Sequence, residues 1–312
     1  MIDSNYAQQL CANSMNPFVL ELAARFPSQK SITRLFEEMK YDEKESLAFC
    51  LQFLQNVYSM DRSEIINCYE VFVNDTLEET KFFFEHGHYR YSTYQEVELF
   101  MTSKDDHYMI AYQVGLLLSQ FFWPNHNEMR KRFIQLLKNH SGEKYLEVGV
   151  GHGFYFKTAI AYSNFQSYTG IDINIDSIEM ATQMLNIDFD CTSRNYELVL
   201  TDFLKMDVIE KYDAIILSEV LEHVEQPNLF LEKIALLSHK STWIYVTTAI
   251  NAPAVDHIYL FRNPDEIYSL FSNCGLTIVD TQLCLYQNKS LDTCLKKLLP
   301  VTIMLSAQKS ID

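Results

Sequence analysis

The sequence KYLEVGVGHGF, from Lys144 to Phe154, decides the fold of this chain. Its first half is a short apolar run typical of a buried β-strand. Its second half contains Gly149, Gly151 and Gly153, three of only eight glycines in 312 residues. Glycine permits a tight turn from a strand into a helix and lets the backbone approach a ligand closely. The stretch therefore predicts a strand, a ligand-binding turn and a helix.

The rest of the chain after this stretch alternates between short β-rich segments and amphipathic segments, which is typical of β-α-β units and a parallel sheet. The predicted strands are 144–148, 167–171, 196–200, 214–217, 243–247, 277–282 and 302–306, and the predicted helices are 154–163, 175–185, 227–238 and 264–274. The last helix has the clearest start, because Asn263 can cap it, Pro264 suits its first position and Glu266 completes a capping-box-like arrangement. We predict an α/β, Rossmann-like domain over residues 141–312.

Residues 1–140 have a different pattern, with apolar residues at three- and four-residue spacing and few Gly or Pro breaks. Helices are predicted over 45–60, 63–85 and 106–137. Aromatic residues are crowded between Phe82 and Trp123, and we expect most of them to form core and some to line a substrate pocket. The chain is thus expected to begin with a helical region, residues 1–140.

Composition restricts the class of partner. The chain has 41 acidic and 25 basic residues and a formal charge of −16, which opposes binding to nucleic acid. Its seven cysteines include no C-x-x-C pair, so a reducing compartment is expected. The N-terminus lacks the features of a signal peptide, and no apolar run approaches the ~20 residues of a membrane span. We expect a cytoplasmic protein without a membrane or nucleic-acid partner.

Acidic residues stand at three positions around the glycine turn. Glu147 precedes it, where a carboxylate can accept from the amino group of the methionyl part of S-adenosylmethionine (SAM). Asp172 ends the next predicted strand, where it can take both ribose hydroxyls. Asp202 ends the third strand and could accept from an adenine amino group while Phe203 packs on the base. The spacing G-x-G-x-G differs from the G-x-G-x-x-G of dinucleotide-binding folds, which disfavours a nicotinamide cofactor.

Together with Ser218 and Glu219 after the fourth strand, these motifs resemble the class I SAM-dependent methyltransferases. Residues 219–224 and 247–261 look like the corresponding segments of small-molecule methyltransferases, including the ubiquinone-biosynthesis and natural-product enzymes. It implies a seven-stranded sheet with an antiparallel last strand, helices on both faces, and a helical N-terminal region that serves as lid or substrate domain. The cofactor-binding set that it implies is Glu147, Gly149, Gly151, Gly153, Asp172, Ile173, Asp202, Phe203, Ser218 and Glu219.

The activity implied by this resemblance is transfer of a methyl group from SAM to oxygen, nitrogen or carbon of a small metabolite, with a role in the biosynthesis of a specialised metabolite. Two alternatives stay open. SAM could be cyclised on itself with release of methylthioadenosine, or the fold could be a catalytically silent interaction protein. Methylthioadenosine in place of S-adenosylhomocysteine would identify the cyclisation.

A second group of residues lies further along the chain. Glu219, Glu222 and His223, joined by His257, resemble the set with which plant small-RNA 2′-O-methyltransferases hold a divalent ion. Such ligands would suit Mg²⁺ or Mn²⁺, which could lower the pKa of an accepting hydroxyl. Without a metal, His257 or His223 could act as general base. The predicted catalytic set is therefore His257, His223 and Glu222.

Overall fold

The computed structural model describes residues 4–105 and 107–310, apart from the side chains of residues 4–14, 189 and 190. The chain divides into two compact units, one formed by Met1–Val73 and His107–Arg130 and the other by Asn74–Asp106 and Lys131–Asp312. Ser141, the predicted start of the α/β domain, is the first residue of the sheet. The second unit contains this sheet and also the helical residues 74–105.

Helices fill the described residues before the sheet. They are α1 Ser4–Arg25, α2 Ser31–Glu38, α3 Tyr41–Val57, α4 Arg62–His86, α5 Tyr94–Thr102, α6 Tyr108–Phe122 and α7 Pro124–Leu137. Helices α3 and α4 confirm the predicted segments 45–60 and 63–85. None of the helices in the described residues combines the length and the hydropathy that a membrane-spanning segment needs.

The single helix predicted over residues 106–137 is wrong. Asp106 lies outside the described residues, and the remainder forms two helices that are separated at Trp123. Trp123 has an extended backbone, with φ −99° and ψ 130°, and Pro124 begins α7. A proline clashes with a helical conformation of the residue before it and lacks the N–H that would continue the helix. The apolar periodicity runs across this break and therefore conceals it.

One seven-stranded sheet is present in the described residues, with strand order β3-β2-β1-β4-β5-β7-β6. The strands are β1 Ser141–Val148, β2 Asn164–Asp172, β3 Tyr196–Leu200, β4 Tyr212–Ser218, β5 Ser238–Ile250, β6 Leu276–Leu285 and β7 Val301–Lys309. Strands β1 to β5 pair in parallel, and β7 lies antiparallel between β5 and β6. The Rossmann-like α/β fold with an antiparallel last strand is thereby confirmed.

Further helices connect the strands: α8 Phe154–Tyr162, α9 Ile175–Asn186, α10 Phe189–Thr192, α11 Pro227–Leu237, α12 Pro264–Asn273 and α13 Leu291–Lys296. Helix α12 begins at Pro264, as predicted, and the Asn263 side chain accepts from the Glu266 N–H at 3.0 Å. The Glu266 carboxylate accepts from the backbone N–H of Arg262 and from the Asn263 side-chain amide. The cap is therefore formed by three residues that are close in sequence, Arg262, Asn263 and Glu266.

The parallel strands β1, β2, β4 and β5 end at one side of the sheet, which we call the carboxyl edge. Ligands of open α/β sheets bind outside this edge. Here the first turn is packed tightly against helix α9, because a Cβ at Gly153 would lie 2.6 Å from the Cα of Ala181. Only glycine fits at this position, so the turn and the start of α8 are fixed to the sheet.

Candidate active site

The carboxyl edge carries two groups of predicted residues, which we name by their composition. The glycine half consists of Glu147, residues 149–153 and Asp172, at the ends of β1 and β2. The histidine half consists of Ser218, Glu219, Glu222, His223 and His257, beyond the ends of β4 and β5.

The glycine turn is built from left-handed backbone. Gly149, Gly151 and Gly153 have φ values of 76°, 49° and 79°, which side chains rarely tolerate. The N–H groups of Gly149 and Val150 donate to the Ile171 carbonyl at 2.8 and 3.2 Å. These bonds tie the turn to the end of the neighbouring strand β2, so the loop is held in place before any ligand arrives.

Asp172 links this turn to the next one. Its Oδ2 accepts from the Gly151 N–H and its Oδ1 from the Asn174 N–H, both at 2.9 Å. Burial raises the pKa of the carboxyl, and these backbone donors oppose the rise. Asp172 therefore stabilises the turn itself, and its predicted contact with ribose hydroxyls would use the remaining lone pairs.

Glu147 is a buried carboxyl at the end of β1, with 1% of its surface exposed. The Tyr145 hydroxyl donates to its Oε2 at 2.5 Å. Burial raises the pKa of Glu147 to about 8, although the Tyr145 hydrogen bond lowers it. An approaching ammonium group would favour the ionised form of such a carboxyl.

The predicted adenine contacts lie at the end of β3. Asp202 accepts from the Leu204 N–H at 2.9 Å. Phe203 is only 4% exposed and packs against Phe230, with 5.2 Å between ring centroids. Its stacking on adenine stays a prediction, and Ile173, 52% exposed after β2, is an apolar side chain that is open to contact.

Two acids of the histidine half lie close together in a buried environment. Glu222 is fully buried, and its Oε2 accepts from the Thr248 hydroxyl at 2.6 Å. The side chains of Glu219 and Glu222 hydrogen-bond to each other, and neither Oε1 meets another donor in the described residues. In the same part of the chain, Oγ of Ser218 also has no partner. Burial raises the pKa of both acids, and the charge of Glu219 raises the pKa of Glu222 further, well above its usual range. Such a pair is stabilised by a proton or by a cation.

Backbone hydrogen bonds bring His257 to this pair. The N–H groups of Ile258 and Tyr259 both donate to the Glu222 carbonyl at 2.9 Å. The ring centroids of His223 and His257 are 4.8 Å apart, and the angle between the ring planes is 87°. One ligand atom from each of Glu222, His223 and His257 lies within 4.8 Å of the other two. Three of the four predicted metal ligands thus come together, and Glu219 is not part of this group.

The tautomers of both histidines follow from their neighbours. Nδ1 of His223 lies 2.9 Å from the Asp256 carbonyl oxygen, and Nδ1 of His257 lies 2.6 Å from that of Ala252. Because a carbonyl only accepts, each Nδ1 carries the proton in the neutral ring. Each Nε2 therefore has the lone pair, as in histidines that bind metals through Nε2.

Sequence reasoning missed the supporting residues of this site. Thr248 and Asn251 follow the predicted fifth strand, and Asn251 Oδ1 is a further buried oxygen without a partner. Tyr89, from the segment between α4 and α5, accepts a hydrogen bond from the Ala252 N–H. The crowding of aromatic residues before the sheet is the only sequence signal for Tyr89, and it does not single out this ring.

Comparison with known proteins places the chain among methyltransferases. A family model described as a methyltransferase domain matches residues 125–298. Over 216 residues the chain is 24% identical to a ubiquinone biosynthesis O-methyltransferase of Paraburkholderia phytofirmans, covering 61% of this chain and 89% of that protein. A protein of the same description from Glaesserella parasuis is 30% identical over 137 residues, which are 41% of this chain and about half, 54%, of that protein.

The fold has a solved counterpart. The N-methyltransferase NodS from Bradyrhizobium japonicum, in complex with S-adenosylhomocysteine, superposes with a TM-score of 0.50 at 17% identity. The match covers 70% of this chain and 98% of that protein. The comparison supports the fold.

Proposed function

The chain belongs to the methyltransferase-domain family, within the class I SAM-dependent methyltransferases, and from this premise we propose that it methylates an oxygen of a small hydroxylated metabolite with the help of a divalent cation. The observation that carries the proposal is the group formed by Glu222, His223 and His257 at the same edge of the sheet as the glycine turn. A small molecule is the proposed acceptor class, because a net charge of −16 opposes a polyanion.

In this proposal the glycine half holds SAM. Glu147 accepts from the amino group of the methionyl part, and the turn at Gly149 and Gly151 lets the backbone approach the ligand. Asp172 takes the ribose hydroxyls. The remaining predicted contacts are Gly153, Ile173, Asp202, Phe203, Ser218 and Glu219. Bound SAM supplies an electrophilic methyl group on a good leaving group, so placing the acceptor correctly can provide much of the rate.

The residues of the histidine half fit a divalent cation. Oxygen and imidazole donors suit Mg²⁺ or Mn²⁺. The pair of buried carboxyl groups that includes Glu222 supports the proposal, since two acids this close are stabilised by a proton or by a cation. A bound cation would lower the pKa of an accepting hydroxyl. The two relatives named as O-methyltransferases agree with oxygen as the acceptor atom.

The same residues also offer a place for the proton of the acceptor. The Nδ1–H bonds of His223 and His257 leave a lone pair on each Nε2. When no cation occupies the group, either imidazole can accept the hydroxyl proton. The Glu222 carbonyl keeps the His257 segment in place, because it accepts from the backbone that follows His257.

The proposal is tested by product analysis with a chemical panel. The purified protein is incubated with SAM and catechol, phenol or benzylamine, in MnCl₂ or in EDTA, and the small molecules are measured by mass spectrometry. We expect S-adenosylhomocysteine together with an equal amount of a methylated hydroxyl compound, reduced at least about tenfold by EDTA.

Other outcomes would replace the proposal. Methylthioadenosine in the absence of any acceptor would identify cyclisation of SAM. Methylated benzylamine, formed equally well in EDTA, would identify a metal-independent N-methyltransferase. SAM that binds and stays intact with every compound would favour the silent interaction protein. We also propose that a hydroxylated acceptor found in this way belongs to the biosynthesis of a specialised metabolite.

A further inference from the structure

The segment between α4 and α5, residues 87–93, and Tyr94 at the start of α5 are attached to the carboxyl edge. Three hydrogen bonds make the attachment: Arg262 Nη2 to the Gly87 carbonyl at 3.1 Å, the Ala252 N–H to Tyr89 Oη at 3.2 Å, and the Tyr94 N–H to Glu225 Oε1 at 3.1 Å. The segment and its partners belong to the same compact unit. A part of the helical region therefore reaches the candidate active site directly.

Tyr89 contacts the histidine half by two routes. Its hydroxyl oxygen accepts from the N–H of Ala252, while the carbonyl of Ala252 accepts from Nδ1–H of His257 at 2.6 Å. Its ring also packs edge-on against the His257 ring, with 5.7 Å between centroids and an angle of 65°. Tyr89 is 5% exposed, so this arrangement is shielded from water. One side chain thus contacts both the His257 ring and Ala252, the residue whose carbonyl fixes the His257 tautomer.

The backbone at this point needs such support. Asn251, directly before Ala252, has φ 50°, a left-handed conformation that is costly for a residue other than glycine. The Asn251 N–H donates to the Phe261 carbonyl at 3.1 Å. The bond from the Ala252 N–H to Tyr89 anchors the Asn251–Ala252 peptide unit. The Ala252 carbonyl belongs to the following unit, which joins Pro253, so Tyr89 acts on this carbonyl through the Cα of Ala252.

We propose that Tyr89 is a positioning residue that fixes the tautomer and orientation of His257 through Ala252. The inference rests on the proposed function for the role of His257 but not for the contact itself. Groups that orient a metal-binding histidine typically change metal affinity or activity by 10- to 100-fold when they are removed. Tyr89 would connect the helical region to the chemistry of the sheet edge.

The first test observes His257 in the absence of metal, SAM and acceptor. The change is Tyr89→Phe, which removes the hydroxyl and retains the ring; the matched control is Tyr91→Phe, in the same segment, whose ring packs against Phe100. Two-bond ¹H–¹⁵N spectra report the tautomer of His257, and exchange of its Nδ1–H with water reports its hydrogen bond.

We expect a single Nδ1–H tautomer with slow exchange in the unmodified chain and in Tyr91→Phe. In Tyr89→Phe we expect a mixture of tautomers and exchange faster by about tenfold or more, since the backbone at Ala252 is no longer anchored. An unchanged His257 spectrum in Tyr89→Phe would overturn the proposal.

The second test measures Mn²⁺ affinity by titration in the full chain. Tyr89→Phe should weaken it about tenfold and leave SAM affinity unchanged. In a His257→Ala background the same change should have no further effect, because Tyr89 acts through His257. An equal effect in both backgrounds would assign Tyr89 a general structural role. Absence of Mn²⁺ binding in the unmodified chain would reject the metal in the proposed function, and the imidazole spectra would still decide the role of Tyr89.

Discussion

The two halves of the carboxyl edge present hydrogen-bonding groups of different origin. In the glycine half, both oxygens of Asp172 are bound by backbone N–H groups, and the turn itself is bonded to β2. In the histidine half and at the neighbouring Asn251, buried side-chain oxygens meet no donor in the described residues beyond the contact between the two acids, namely Ser218 Oγ, Glu219 Oε1, Glu222 Oε1 and Asn251 Oδ1. The first half is therefore a preformed backbone cradle, and the second is a set of side chains that a ligand can complete.

Because of this difference, we expect the two halves to bind ligands in different ways. An unpartnered buried acceptor costs about 1–3 kcal/mol, so several of them close together favour a cation or a hydrogen-bond donor. Ligand binding by the backbone cradle of the glycine half instead depends on the shape of the turn, so a single added side chain can block it. Substitutions in the two halves should consequently have separable effects on binding and on turnover.

The largest effect is expected from Gly151→Val. The residue has φ 49° and open space beside it, so a side chain would strain the turn and project into the space left for the ligand. We expect SAM affinity to fall by roughly 1,000-fold in equilibrium dialysis. Gly275→Val is the matched control, because Gly275 has φ 73° and the same open space but follows α12. Equal SAM affinity in the two variants would refute the cofactor assignment.

His257→Ala should act on the other half. We expect turnover to fall by roughly 100-fold, while the SAM dissociation constant stays within about threefold of its original value. The control is His239→Ala, since His239 binds Asp213, which is not part of either half. A loss of SAM affinity as large as the loss of turnover would show that the halves are not separable.

The smallest effect concerns stability. The pKa of Glu147 is raised from its usual 4.5 to about 8, so its protonated form favours the folded state. That contribution is complete below pH 4.5 and is lost as the pH rises to about 8. We expect the free energy of unfolding of the ligand-free protein to fall by about 2–4 kcal/mol between pH 5 and pH 8. The melting temperature should fall by several degrees over the same range.

Glu147→Gln separates this contribution from other titrating groups, because the amide keeps the shape of the side chain without a charge. The fall in melting temperature should become smaller in this variant and stay as it was in Glu143→Gln, an exposed position on the same strand. If both variants retain the full pH dependence, the buried carboxyl is not its source.

Local patterns were sufficient to predict the fold and the identity of the glycine half. Alternation of β-rich and amphipathic segments located all seven strands, although β5 extends over Ser238–Ile250 instead of the predicted 243–247. The glycine spacing and the acid at the end of β2 are also local features. Trp123 and Pro124 show the limit of such patterns, because apolar periodicity continues through a break in the helix.

The histidine half could not be predicted from local sequence patterns alone. The spacing of Glu222, His223 and His257 identified candidate residues, but their meeting depends on hydrogen bonds from Ile258 and Tyr259 to the Glu222 carbonyl. The contact of Tyr89 with Ala252 joins positions 163 residues apart. No periodicity or motif in one sequence marks such a pair, because its physical basis exists only in the folded chain.

The most direct test of the separate roles of the two halves measures the binding of both ligands to a variant of each half. SAM and Mn²⁺ affinities are measured by calorimetric titration for the unmodified chain, Gly151→Val and His257→Ala. The account predicts that Gly151→Val loses SAM and keeps Mn²⁺, whereas His257→Ala keeps SAM and binds Mn²⁺ at least about tenfold more weakly. Loss of both ligands in either properly folded variant, or Mn²⁺ affinity unchanged by His257→Ala, would contradict it.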